Sequence, residues 1–182
     1  MNRRELLSMI AAVTGTAMIA PRAGWSYQPT EIGENIFSPE DAAFLDEVAE
    51  IIIPQTDTPG AKDAGVGEFM TIYVSDCYDR AQQDEFRDAM EMLKTYAQDV
   101  YGADFMALEP NQQQVLIEDI ASLARNQSAR EGAEPHWFTA IHQLVLFGFF
   151  TSQPGATEVL RYEAVPGEFR DTDYDGGPAW AT

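Results

Sequence analysis

Apolar residues recur along this chain in steps of three and four, the spacing of helices that bury one face. Ser38-Pro39-Glu40-Asp41 opens the first such segment, with Ser38 suited to cap, Pro39 to the first turn and two acids to the positive end of the helix dipole. Phe44, Leu45, Val48, Ile51 and Ile52 follow at helical spacing, and Pro54 ends the run. Thr56 to Gly60 is rich in turn formers and reads as a loop. A second helix is predicted from Val66 to Cys77, with Phe69, Met70, Tyr73 and Cys77 on one side. A third, from about Gln82 to Tyr101, carries Phe86, Met90, Leu93 and Ala97, and Pro110 opens a fourth with Val115, Leu116, Ile120 and Leu123 as its stripe. Asn126 to Glu134 is polar and contains glycine, so a loop is expected there.

The fifth predicted helix, opening at Pro135, breaks the pattern. Ile141, Leu144, Val145, Leu146, Phe147, Phe149 and Phe150 leave it almost no polar face. A helix apolar nearly all round is central in its own fold or covered by a partner. Beyond Pro154 come turns, a short Thr157 to Tyr162 segment and a tail rich in glycine, aspartate and aromatics, with no alternation of strand period. The expected fold is all-α: a compact single-domain bundle of about five helices, spanning 37–182, with an irregular C-terminal tail. Residues 24–36 read as a linker.

Composition changes this picture mainly through charge. At 45% hydrophobic the chain has enough apolar material for a core, but 30 acids against 11 bases give a net charge of −19. Nucleic acid and anionic membrane surfaces both select clustered Lys and Arg, and no basic stripe can be assembled here. The single cysteine, Cys77, excludes an intrachain disulfide and any cysteine-based haem, zinc or cluster site within this chain alone. Burial as a small hydrophobe is the expected state of Cys77, with an intersubunit disulfide or a place near a partner's redox centre as the alternative.

Residues 1–23 read as an address. Arg3 and Arg4 precede Leu6 and Leu7, and an uncharged run extends to Ala20 before Pro21 and Arg22. That run is shorter than the roughly 20 residues a membrane span needs. A basic start, an apolar run and small residues describe a secretory signal, and the adjacent arginines followed by leucines resemble a twin-arginine signal. The expected destination is the periplasm, with membrane contact only through this segment or through other subunits.

Catalytic chemistry is scarce. His136 and His142, the two histidines, are six residues apart and point about 120° away from each other on a helix, wrong for a shared metal. No G-x-S-x-G elbow and no Gly-rich loop after a strand is present. Asp46, Glu47 and Glu50 lie opposite the apolar stripe and read as a solvated face. Asp171-Thr172-Asp173-Tyr174-Asp175-Gly176 matches the first half of a calcium loop, but its twelfth position falls on Thr182 instead of a bidentate Glu.

Several segments together resemble the small subunit of gluconate and sugar dehydrogenases, the gluconate 2-dehydrogenase subunit 3 family. They are the twin-arginine start, Phe37-Ser38-Pro39-Glu40, Leu45 to Glu50, Ile53-Pro54, Thr56 to Ala61 and Asp76-Cys77-Tyr78. Further on come Pro135 to Phe138, Gly148 to Ser152, Gly155 to Thr157, Leu160 to Tyr162, Val165 to Gly167 and Ala179 to Thr182. The resemblance implies a non-catalytic chain without a cofactor. It would pair with a large FAD-binding dehydrogenase subunit of the glucose–methanol–choline type, with a cytochrome c subunit as a further partner. It also implies that the small chain escorts the large one through the twin-arginine route and helps it mature. On this reading Phe149, Phe150, Arg161, Tyr162 and Trp180 are the expected interface anchors, against the open alternative that the phenylalanines are this domain's own core. A free-standing periplasmic binding protein, taking calcium through its acidic tail, is the other functional class.

Overall fold

The computed structural model describes residues 35–165, 167 and 176–181. The export signal (Arg3, Arg4, Leu6 and Leu7) and most of the calcium-like tail lie outside these residues. Five α-helices are found among them: α1 (Pro39–Ile52), α2 (Val66–Cys77), α3 (Arg80–Tyr101), α4 (Pro110–Ser128) and α5 (Phe138–Thr151). The all-α expectation holds. A single 3-10 turn, Phe105–Ala107, precedes α4, and a π-turn, Gly155–Val159, follows α5.

Local chemistry explains most of the boundaries. Ser38 and Asp41 form a reciprocal capping box at the start of α1, and Asp79 with Gln82 does the same for α3. Burial would push the Asp41 carboxyl up, but the Ser38 amide, the Lys94 charge and the Ser38 hydroxyl together hold it below the usual carboxylate range. Two boundaries differ from expectation. α4 continues through Asn126 to Ser128, because polar side chains on an exposed face do not end a helix. α5 starts at Phe138 rather than Pro135: the His136 ring Nδ1 accepts the Phe138 amide at 3.2 Å, and Trp137 precedes the helix.

The core is assembled around α5, which packs against all four other helices. Ile141, Leu144, Val145 and Phe149 supply its buried side, meeting Leu45 and Val48 of α1, Val66, Met70 and Val74 of α2, and Phe86, Met90 and Leu93 of α3. In α4 the buried stripe is Leu116, Ile117, Ile120 and Ala124, whereas Val115 and Leu123 face outward. Edge-to-face pairs add to the core: Phe37 with Phe86 at 6.0 Å and Phe44 with Phe105 at 5.4 Å.

The acids of α1 are not simply a solvated face. Glu50 accepts the Gln55 amide at 2.8 Å through one oxygen and the Lys62 amide at 2.9 Å through the other, folding the 53–65 loop back onto α1. Glu47 pairs with the Lys62 ammonium at 2.8 Å. Asp46 accepts the Gly67 amide at 2.8 Å, so α1 supplies the N-terminal cap that α2 lacks in its own sequence. Burial pushes the Asp46 carboxyl above its usual range, against the Gly67 amide and the Lys62 charge that favour ionisation. The far end of α2 is capped from α3, where the Gln83 side-chain amide donates to the Val74, Ser75 and Tyr78 carbonyls. Replacing Glu50 with Gln keeps one acceptor and turns the other into a donor facing an amide. The expected loss is about 1–2 kcal/mol, with proteolysis in the 53–65 loop rising before the rest of the chain is cut.

One feature lies outside the sequence-based expectation. β1 (Arg161–Tyr162) pairs in parallel with β2 (Trp180–Ala181), Arg161 opposite Trp180. The Arg161 amide donates to the Ala179 carbonyl at 2.8 Å and the Glu163 amide to the Ala181 carbonyl at 3.0 Å.

A candidate partner-binding face

The outer side of α5 carries the residues its core cannot hold. Phe147 is 46% exposed and Phe150 38%, while Phe149 between them is 1% exposed. The interface expectation is therefore corrected for Phe149: it belongs to this chain's own core and presents no surface. Phe147 and Phe150, three residues apart, are neighbours on the outward face.

Phe147 does not stand alone. Its ring lies 5.9 Å from Phe69 and 5.4 Å from Tyr73, and Tyr73 in turn meets Phe69 at 5.4 Å and Tyr78 at 5.8 Å. Gly148 makes this approach feasible, since a Cβ there would come within 2.7 Å of the Phe69 ring. The result is a continuous aromatic face shared by α2 and α5. Burial, followed by the neighbouring Tyr73 and Cys77, pushes the Tyr78 phenol up. A groove of about 520 Å³ runs along α2 beside it, lined by Phe69, Ile72, Tyr73 and Cys77.

Cys77 is exposed at this groove, contrary to the expected burial. The reason is its place as the last residue of α2, one turn beyond the last buried position, Val74. One equivalent of a thiol reagent should therefore react in the isolated chain without denaturant. Cys77→Ser should shift stability by no more than about 0.5 kcal/mol. Protection of the thiol when a partner is bound would place it under the interface.

The remaining expected anchors sit on the arm that follows the π-turn. Tyr162 is 54% exposed and Trp180 58%, and the Arg161 guanidinium lies 5.0 Å from the Trp180 ring. The structure thus joins Arg161 to Trp180, and leaves Tyr162 on the surface. Phe69, Tyr73, Tyr78 and Phe147 were not singled out as contact residues by sequence reasoning. Their signal was the Phe69, Tyr73 and Cys77 spacing on α2 together with the surplus apolarity of α5.

Metal and acid–base chemistry find little to build on here. Among the described residues no cluster of three His, Cys, Asp or Glu side chains could hold a metal ion. His136 is spent on the Phe138 amide and stacks 5.0 Å from Trp137. His142 is half-buried on α5, with burial and then the Arg125 charge holding its imidazole below the usual histidine range. Among the described residues no helix is long and apolar enough to cross a membrane.

Comparison with curated proteins and with solved structures finds no match to this chain. The family model described as gluconate 2-dehydrogenase subunit 3 matches residues 39–167, which runs from the first residue of α1 to just beyond β1. With well over half of its length matched, the chain belongs to the gluconate 2-dehydrogenase subunit 3 family.

Proposed function

We propose that this chain is the non-catalytic small subunit of a periplasmic dehydrogenase whose catalytic partner is a large FAD-binding flavoprotein of the glucose–methanol–choline type. The observation that carries the reading is the aromatic face of Phe69, Tyr73, Tyr78 and Phe147, half-exposed on a chain of net charge −19. Interface centres are depleted of charge and enriched in Tyr, Phe and Trp, and this face has that composition. The arm bearing Arg161, Tyr162 and Trp180 supplies a second contact. On this reading FAD belongs to the partner.

Arg3 and Arg4, with Leu6 and Leu7, then serve export through the twin-arginine route, carrying the folded partner along and supporting its maturation. A cytochrome c subunit would take the electrons onward. Cys77, exposed beside the aromatic groove, is placed to form an intersubunit disulfide once in the oxidising periplasm.

The test is isolation of the full-length chain, under its own promoter, from the periplasm of its native host. The expected result is a stoichiometric, larger, yellow flavoprotein whose reading frame lacks a signal of its own. A colourless chain recovered alone from the periplasm would overturn the proposal.

A further inference from the structure

A second concavity lies on a different pair of helices. α4 uses large side chains in its buried stripe, Leu116, Ile117 and Ile120, and then changes to small ones: Ala121, Ala124 and Ser128. The last two turns therefore leave unfilled space against the start of α5, a cleft of about 420 Å³ floored by Ala124 and Phe138. That volume falls within the range of small-molecule pockets.

Its polar groups converge from both helices. Arg125, in the last turn of α4, and His142 of α5 both line the cleft, with Thr139 one turn before His142. The two are close enough for the Arg125 charge to act on the imidazole. The chain has nearly three acids per base, yet among the described residues Arg125 makes no ion pair. A guanidinium with open donors beside an imidazole, above an apolar floor, matches one ligand chemistry: an anionic head on a short apolar body.

We propose that the cleft between α4 and α5 binds a small amphipathic carboxylate, its head on Arg125 and His142 and its apolar body on Phe138 and Ala124. The site lies on a helix pair other than α2 and α5, and it does not depend on the partner assignment.

The chain has two histidines, so their ring protons can be followed individually by NMR in the full-length protein, with His142→Gln fixing the assignment. Octanoate is the probe, with octanol as its neutral counterpart and gluconate as a carboxylate without an apolar body. Octanoate should shift the His142 signals saturably and leave those of His136 nearly still, whereas octanol and gluconate should each bind at least tenfold more weakly. Arg125→Gln, an exposed change, should weaken octanoate at least tenfold. Ser128→Asp, also exposed, should do the same by repulsion while leaving octanol unchanged. Absence of a saturable shift, equal binding of octanol or gluconate, or unaltered octanoate affinity in both variants would overturn the proposal.

Discussion

Replacing Gly67 with alanine should destabilise the chain by about 2–4 kcal/mol, even though alanine is the better helix former by roughly 1 kcal/mol. Gly67 lies in the first turn of α2, where that helix meets α1, its most extensive packing partner. A Cβ at this position would stand 2.6 Å from the Ala42 carbonyl oxygen, the Asp46 amide nitrogen and the Asp46 carboxylate. Two of those three atoms are backbone of a helix, so they cannot rotate away. Relief requires α2 to retreat from α1, which also breaks the 2.8 Å bond from the Gly67 amide to Asp46. A fall in melting temperature on the order of 10 °C is expected. Glu68→Ala, one residue further on an exposed position, should change stability by less than about 0.5 kcal/mol. Equal behaviour of the two variants in thermal denaturation would show that Gly67 does not set the spacing of these helices.

The second large effect concerns assembly. Phe147→Asp should weaken association with the proposed flavoprotein partner by about 30- to 1000-fold, the range of an interface hot spot losing 2–4 kcal/mol. Phe147 is only half-covered by Phe69 and Tyr73, so the isolated variant should stay folded, with a helical circular dichroism spectrum like that of the parent. Phe149→Ala supplies the contrast. Truncating that fully buried ring should cost about 3–5 kcal/mol of stability, and assembly should fail because the chain unfolds. Co-purification and thermal denaturation of the two variants separate surface from core two residues apart. If Phe147→Asp assembles normally, the aromatic face is not the docking surface.

The contrast between these phenylalanines also marks what a sequence can disclose. Ser38-Pro39, Pro54, Pro110 and the extent of the Val66–Cys77 helix were legible because capping, proline and periodicity act within a few residues of where they are read. The surplus apolarity of α5 was equally visible, but it left open whether the helix is central in its own fold or covered by a partner; the structure makes it central and leaves Phe147 and Phe150 exposed. Which phenylalanine falls on which side depends on the rotation of α5 against four neighbours, and that is not written in its own fourteen residues. The acids of α1 show the same limit. Their position opposite the apolar stripe was evident, but not that the 53–65 loop returns to bring its amides to Glu50 and that α2 starts against Asp46. Cys77 was misjudged because residue type favours burial while the last turn of α2 favours solvent. The pairing of β1 with β2 had no signal at all, since two-residue strands are too short to alternate.

That pairing has a consequence for how the tail tolerates change. Strands that run in the same direction must be joined by a crossover, and here Tyr162 and Trp180 are the two ends of the connection. The Arg161 amide is satisfied by the Ala179 carbonyl at 2.8 Å and the Glu163 amide by the Ala181 carbonyl at 3.0 Å. A chain cut just before Ala179 would lose both acceptors at once and leave those two amides to water.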